Sequence, residues 1–297
     1  MRSRYSLVSS GTERLVARGE VPAEVAAQMQ VPYMEGSFDF PVKYGYSLVA
    51  VVETPDHPLA GQTVHLLHPH QDYCQVADTD LFVVPPGVPA RRATLASNLE
   101  TALNAVWDGQ VSVGDRVLVV GFGLIGSLVA RLLSMMPAVE VSVWEVDEAR
   151  QAAARAMGFV VARPQSGDPP ADVAFHCSAS AAGLQVAIDA VGFEGRVVEL
   201  SWYGVRETGI RLGGSFHSQR KQLVSSQVSH LPADRRSRWD DRRRKTTVFA
   251  LLHDPVFDRH LPGEVAFGDL PRLFDRLRTT SDTTLAWTVH YDPPSAP

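Results

Sequence analysis

The feature that most constrains this 297-residue chain is a glycine-rich turn between an apolar strand and an apolar helix. Gly121, Gly123 and Gly126 follow the strand VLVV in the pattern G-x-G-x-x-G. The first glycine permits a tight turn, the second lets the backbone approach a pyrophosphate, and the third packs helix against strand. The helix, which begins near Leu124 and Ile125, then directs its N-terminus at the anion. The pattern predicts a dinucleotide-binding turn; glycines that serve packing alone are the alternative.

An acidic residue follows at the spacing that such a turn requires. Glu145 ends the next apolar strand, 19 positions after Gly126, where a carboxylate that binds a ribose diol is expected. A carboxylate repels a 2′-phosphate, so the sequence favours NAD over NADP. Arg150 on the following helix can offset that charge, which leaves NADP open. The alternative for Glu145 is a solvated acid at a strand end.

The chain around the turn alternates apolar strands with helical segments over residues 106–248. This alternation predicts a doubly wound parallel sheet. Residues 1–105 instead contain short apolar runs between Pro and Gly, which are typical of antiparallel strands in a barrel-like domain. Residues 249–297 return to a mixed pattern. We therefore predict an α/β protein in which both chain ends contribute to one domain and residues 106–248 form the other.

Charge and hydropathy exclude several classes of function. The net charge of −5 provides no basic field for nucleic acid, and we expect the basic block at 235–245 to be a solvated helix face. The longest uncharged apolar stretch has 14 residues, fewer than the roughly 18 that span a membrane. The N-terminus lacks the pattern of a signal peptide, and two cysteines fit a reducing compartment. We expect a cytoplasmic protein that binds a small-molecule substrate, not nucleic acid or membrane.

Further motifs, in the same order along the chain, resemble the medium-chain dehydrogenase/reductase family, the zinc alcohol dehydrogenase superfamily. The segment SGTE, residues 10–13, resembles the family's Cys-Gly-Thr/Ser-Asp turn, and YGYS, residues 44–47, resembles its Gly-His-Glu segment. TALNAV, from Thr101, resembles the helix that enters the nucleotide domain. The resemblance implies a GroES-like catalytic domain, an inserted Rossmann domain and a nicotinamide cofactor. It also implies that Thr101 and Ser178 lie at the cofactor.

Two departures from the family pattern stand out. The positions of the catalytic zinc ligands carry Ser10, Tyr46 and Ser97. Neutral hydroxyls are poor zinc ligands, so we expect no zinc. The second departure is that the chain begins inside the family pattern, which implies either a misassigned start or a truncated catalytic domain.

Without a metal, hydrogen-bond donors must polarise a carbonyl substrate. Thr12 lies where the family has a proton-relaying hydroxyl, and Tyr46 lies inside the former metal site. Each is a candidate catalytic donor; the alternatives are that Thr12 stabilises its turn and that Tyr46 fills vacated space.

A histidine-rich segment is the remaining candidate for chemistry. It contains His65, His68, His70 and Cys74. These residues have the atom types of a replacement metal site, but Pro69 favours substrate contact, a general acid or a structural role. We take His70 as the catalytic candidate. Cys177 is expected to be a packing residue.

The sequence therefore predicts an NAD(P)-dependent oxidoreductase that transfers hydride to or from a carbonyl, alcohol or activated double bond. The alternative is a catalytically degenerate protein that binds nucleotide as a scaffold. Related proteins commonly dimerise through Rossmann sheet edges, and we expect the strand GRVVELSWYG and the segment GIRLGG to supply such an edge. A homodimer is the expected assembly.

Overall fold

A computed structural model describes residues 1–165, 167–280 and 282–291, and the chain divides into two compact units. Unit 1 combines Met1–Ser97 with Arg242–Pro297, and unit 2 is Asn98–Asp241. These limits lie a few residues before the predicted boundaries at 105/106 and 248/249. The proline-containing C-terminal residues 292–297 lie outside the described residues.

The strands of the described chain run from the first residues to the last. They are β1 (Arg2–Ser9), β2 (Glu35–Gly36), β3 (Val42–Lys43), β4 (Leu48–Val51), β5 (Thr63–Leu66), β6 (Phe82–Val83), β7 (Arg116–Val120), β8 (Glu140–Trp144), β9 (Val160–Val161), β10 (Ala171–His176), β11 (Val191–Glu199), β12 (Gln222–Ser225), β13 (Gly263–Ala266) and β14 (Ala286–His290).

The helices connect these strands. They are α1 (Thr12–Ala17), α2 (Ala90–Ala93), α3 (Ala96–Gly109), α4 (Leu124–Ser134), α5 (Glu148–Ala156), α6 (Ala181–Ala190), α7 (Ser215–Ser218), α8 (Asp241–Leu251) and α9 (Leu270–Thr279). Short 3₁₀ turns cover Ala23–Val25, Asp78–Asp80, Pro255–His260 and Phe267–Asp269.

Unit 1 is built on a six-stranded sheet of order β13-β14-β1-β4-β5-β6, which is antiparallel except for the parallel β13–β14 pair. Helix α9 presents Leu270, Leu273 and Leu277 at helical spacing, and they pack into the same core as Val8 and Leu48. Burial of such an apolar stripe contributes about 25 cal/mol per Å². The C-terminal α9 and the N-terminal strands therefore share one core.

Unit 2 is a parallel sheet of order β9-β8-β7-β10-β11-β12 with helices between its strands. This is the strand order of the doubly wound dinucleotide-binding fold, and its switch point lies between β7 and β10. The predicted α/β fold class, a parallel sheet accompanied by a mainly antiparallel one, is confirmed.

The predicted dimer edge was wrong in its position. GRVVELSWYG contains most of β11, which pairs with β10 on one side and β12 on the other. Residues 209–214 form no strand. A continuous apolar run indicates a strand buried on both faces, which is typical of the sheet interior. Among the described residues, the outer strands of this sheet are β12 and β9.

The basic block also departs from prediction in part. Arg244 and Lys245 on α8 are buried instead of solvated, and the Lys245 ammonium lies 5.2 Å from the centroid of the Phe82 ring. Long cationic side chains bury their aliphatic stems in this way. Within the described residues, no helix has both the length and the apolar character needed to cross a membrane.

Candidate functional site

The glycine turn after β7 has the geometry that its sequence predicts. Gly121 has φ +95°, and a Cβ built there would lie 2.9 Å from the Ser178 Cα. A Cβ on Gly126 would lie 1.9 Å from the carbonyl oxygen of Gly121, whereas a Cβ on Gly123 would meet no atom within 4 Å. The first and third glycines are thus required by close packing, and the second faces open space that a pyrophosphate can approach.

Helix α4 begins immediately after Gly123, and Leu124 and Ile125 are its first two residues. The Gly123 carbonyl accepts the first helical hydrogen bond, from Ser127 N at 2.9 Å. The N–H groups of the first helical turn have no carbonyl partner within the helix. Together with the helix dipole they favour an anion at this position, so the turn fits a dinucleotide.

Glu145, directly after β8, holds this turn in place. Its Oε2 accepts the N–H of Phe122, the residue between the first two glycines, at 2.7 Å. Its Oε1 accepts the N–H groups of Val146 at 2.7 Å and Asp147 at 2.9 Å. The side chain therefore braces the glycine turn, a role that the sequence did not reveal. Oε2 keeps one further lone pair, and ribose binding stays a prediction.

The remaining predicted cofactor residues lie in the same unit. Arg150 N donates to Asp147 Oδ1 at 2.9 Å and so contributes to the cap of α5. Thr101 lies in α3, and the exposed Ser178 follows β10. Ser178 approaches the glycine turn at Gly121, and the cofactor roles of Thr101, Arg150 and Ser178 stay predictions.

In unit 1, His70 lies in a buried polar network. Its Nε2 is 2.8 Å from Glu13 Oε2, and its Nδ1 is 2.8 Å from Ser6 Oγ. Glu13 Oε1 accepts the N–H of Ser9 at 2.9 Å, and Ser6 Oγ is 2.9 Å from the Tyr291 hydroxyl. Burial raises the pKa of the Tyr291 phenol, which keeps it protonated at neutral pH. Both ring nitrogens of His70 are therefore engaged by protein groups.

The residues next to the other two catalytic candidates, Thr12 and Tyr46, lie close to His70. Thr12 opens α1 and precedes Glu13, the carboxylate partner of His70. Tyr46 follows Gly45, where a built Cβ would lie 3.1 Å from His70 Nε2. The fold thus brings the segments that carry Thr12, Tyr46 and His70 together, although they are far apart in sequence.

Of the three residues at the zinc-ligand positions, both serines donate hydrogen bonds to backbone carbonyls. Ser10 Oγ donates to the Thr284 carbonyl at 3.2 Å, and Ser97 Oγ donates to the Tyr46 carbonyl at 2.8 Å. In the part of the chain that the structure describes, no three His, Cys, Asp or Glu side chains are grouped to hold a metal ion. This donor set does not fit zinc, which takes thiolate, imidazole or carboxylate.

The histidine-rich segment does not assemble a replacement metal site. His65 Nε2 is 3.1 Å from Ser47 Oγ, and His68 stacks on Tyr33 with ring centroids 5.3 Å apart. Burial lowers the pKa of His68, and it lowers the pKa of His65 well below its ordinary value. Burial raises the pKa of the Cys74 thiol. Because these side chains have different partners, the segment stabilises unit 1 at separate points.

Known proteins resemble this chain in sequence. No protein-family model matches it. It is 27% identical over 181 residues to D-guloside 3-dehydrogenase of Shigella flexneri, which covers 57% of this chain and 52% of that protein. It is 27% identical over 177 residues to the zinc-type alcohol dehydrogenase-like protein YphC of Escherichia coli K12, covering 54% and 49%. The chain thus matches about half the length of these curated relatives.

Solved structures resemble the fold over nearly the whole chain. The 2R,3R-butanediol dehydrogenase of Bacillus subtilis has a TM-score of 0.75 at 17% identity, with 98% of this chain and 91% of that chain covered. Acetophenone reductase of Geotrichum candidum, in complex with NAD, has a TM-score of 0.75 at 15% identity, with 97% and 88% covered. In sequence the chain is thus similar to dehydrogenases and to a zinc-type alcohol dehydrogenase-like protein, and in fold it is similar to solved structures of alcohol dehydrogenases and reductases.

Proposed function

We propose that the protein is an NAD(P)-dependent oxidoreductase that transfers hydride between the cofactor and a carbonyl, alcohol or activated double bond, without catalytic zinc. The observation that carries the proposal is the glycine turn. Gly123 faces open space at the start of α4, and the Glu145 carboxylate braces the turn through Phe122. This arrangement is suited to a pyrophosphate.

The relatives support the reaction class and suggest a class of substrate. They are named as dehydrogenases, and their named substrates are a guloside and, in a further Bacillus subtilis relative, (R,R)-butanediol. Acetophenone reductase, a structural neighbour, is in complex with NAD. We therefore propose secondary alcohols of diols and sugar derivatives, with the matching ketones, as the first substrates to examine.

In this proposal the nicotinamide supplies the hydride chemistry, and the chain manages position and one proton. Thr12 and Tyr46 are the proposed donors to the substrate oxygen, because each carries a hydroxyl near the position of the former metal site. His70 is proposed to act through its partners, since Glu13 and Ser6 engage both of its ring nitrogens. It holds Glu13, and with it the start of α1, in place.

A titration of nicotinamide fluorescence tests the cofactor part of the proposal. NADH is expected to bind saturably. Gly126→Ala is expected to abolish binding, because the added Cβ would lie 1.9 Å from the Gly121 carbonyl oxygen. Gly209→Ala is the matched control, since a Cβ there meets no atom within 4 Å. Failure of both NADH and NADPH to bind the wild type would refute the proposal.

A substrate panel then tests catalysis. Absorbance at the reduced-nicotinamide band is followed with diols, sugar derivatives and ketones. We expect turnover that Tyr46→Phe or Thr12→Val lowers by roughly 100-fold if either hydroxyl polarises the substrate. Tight nucleotide binding with no turnover on the panel would instead support the nucleotide-binding scaffold.

A further inference from the structure

A second group of side chains lies at the carboxyl end of the parallel sheet, and the proposed function gives it no chemical role, although one member, Ser178, is also a predicted cofactor contact. His176 ends β10 and is completely buried. Its Nδ1 lies 2.7 Å from Glu199 Oε2, and its Nε2 lies 2.7 Å from Ser178 Oγ. Ser178 is exposed. An accessible hydroxyl, a histidine in hydrogen-bond reach and a carboxylate behind the histidine are the three parts of an activated nucleophile.

The negative charge on Glu199 determines which nitrogen of His176 carries the proton. Burial alone would raise the pKa of the Glu199 carboxyl, but hydrogen bonds from His176 and from the Ser201 N–H hold it below its ordinary value. The Ser201 N–H lies 2.7 Å from Glu199 Oε1, and the Tyr203 hydroxyl donates to Oε2 at 3.0 Å. An ionised Glu199 accepts the Nδ1–H of His176, which leaves Nε2 to accept the Ser178 proton.

The backbone places the serine in a short connection between a strand and a helix. Ser178 lies in a tight turn between strand β10 and helix α6, and Ala179, the next residue, has φ +49°. Gly183 in the first turn of α6 leaves room for the contact: a Cβ there would lie 2.2 Å from Ser178 Oγ and 2.9 Å from His176 Nε2. Nucleophilic serines of hydrolases also lie between a strand and a helix; here the positive φ belongs to Ala179 and not to the serine.

We propose that Ser178, His176 and Glu199 form an acyl-transfer site, in which Ser178 is acylated by activated carboxylic esters such as aryl esters or thioesters. Ser178 Oγ forms a bond to the carbonyl carbon, and its proton passes to His176 Nε2. The bond from the carbonyl carbon to the leaving oxygen or sulfur breaks, and that group departs with the proton from His176. Glu199 stabilises the imidazolium between these two transfers.

The turn also sets the expected kinetics. The N–H of the residue after the nucleophile is a common donor to the developing oxyanion. Here the Ala179 N–H donates to Ser201 Oγ at 3.0 Å. Because this donor is engaged, we expect slow release of p-nitrophenol from p-nitrophenyl acetate, with acylation of Ser178 and hydrolysis of the acyl-enzyme both slowed.

Covalent labelling of the nucleotide-free protein tests the site without reference to the dehydrogenase proposal. A fluorophosphonate probe reacts as Ser178 Oγ bonds to phosphorus, fluoride leaves and His176 takes the proton. Mass spectrometry should place one adduct on Ser178. His176→Gln should slow labelling by roughly 100-fold, and Ser218→Ala, which changes an exposed serine elsewhere in the unit, should leave it unchanged. No adduct on Ser178, or equal labelling of His176→Gln, would overturn the proposal.

Gly183→Ala provides a variant that keeps all three side chains. The new methyl group should turn the Ser178 hydroxyl away from His176, whereas alanine favours a helix more than glycine does. We expect a folded protein with labelling reduced at least tenfold. Labelling at the wild-type rate would show that the 2.7 Å contact does not activate the serine.

A cysteine at position 178 reports directly on how strongly His176 and Glu199 activate the nucleophile. Burial raises the pKa of both native thiols, Cys74 and Cys177, so the wild type should react slowly with iodoacetamide. Ser178→Cys should introduce one fast thiol with a pKa at least about one unit below the usual 8.5, and adding Glu199→Gln should raise that pKa. If the introduced thiol instead has a pKa of about 8.5, with or without the Glu199 substitution, the proposal is contradicted.

Discussion

At the residue scale, single carboxylates organise both units through backbone N–H groups. Glu145 accepts three such bonds, including that of Phe122 inside the glycine turn. Glu13 accepts the Ser9 N–H while it holds His70. Each hydrogen bond to a charged acceptor contributes roughly 1.5–3 kcal/mol. The spacing after Gly126 predicted where Glu145 lies, but not these bonds, because they depend on the folded turn.

Replacing Glu145 should therefore affect both the turn and the choice of cofactor. Glu145→Ala removes the acceptor for three N–H groups and the charge that would repel a 2′-phosphate. We expect NADH affinity to fall at least tenfold and NADPH affinity to fall less, measured by fluorescence titration. Glu148→Ala, an exposed acid on α5, is the control and should change neither. Wild-type affinity for NADPH equal to or above that for NADH would show that Glu145 does not select NAD.

At the scale of elements, the sequence predicted those features whose residues are contiguous in the chain. The strand, glycine turn and helix from β7 to α4 are contiguous, so spacing and hydropathy identified them. The order of strands is not local, and an apolar run does not reveal its neighbours in a sheet; this is why the edge was placed on β11 instead of β12. The His176–Glu199 contact was missed for the same reason, because its partners end two different strands, 23 positions apart.

An ion pair joins two elements of unit 1 that are distant in sequence. Arg92 on α2 donates to both carboxylate oxygens of Asp258 at 2.8 and 2.6 Å. These hydrogen bonds lower the pKa of Asp258. Because the pKa of Asp258 is lower in the folded state, the ionised carboxylate stabilises the fold fully at pH values above the pKa of an aspartate in the unfolded chain, about 3.9. That stabilisation is lost as the pH falls through the pKa of Asp258 in the folded protein.

Asp258→Asn should remove this pH-dependent stability. Because the Asp258 side chain is 47% exposed, solvent screening leaves a loss of about 1 kcal/mol at pH 7. The difference in melting temperature between wild type and variant should shrink below about pH 4, where the wild-type carboxyl protonates. Asp56→Asn, on an exposed turn residue, is the control. A difference that stays constant from pH 7 to pH 3 would argue against the ion pair.

At the scale of the whole molecule, both chain ends build unit 1, and the middle of the chain builds unit 2. The parallel sheet of unit 2 ends at β12, where Leu223 is 39% exposed. An outer strand with unpaired backbone groups favours pairing with a second copy. We expect a dimer in sedimentation experiments at micromolar concentration, and Leu223→Lys should weaken it. A mass near the 32.4 kDa of one chain for the wild type would contradict this expectation.

The last prediction concerns the metal content of the whole protein. Ser10 and Ser97 donate to backbone carbonyls, and neither hydroxyl supplies the charge that a zinc ion requires in a protein site. We expect elemental analysis after dialysis to find well under one zinc per chain. A chelator should change neither the melting temperature nor the affinity for NADH, since no zinc contributes to either. Stoichiometric zinc that survives dialysis would contradict this prediction, and the ligands would then be sought among His68, His70 and Cys74 by substitution of each in turn.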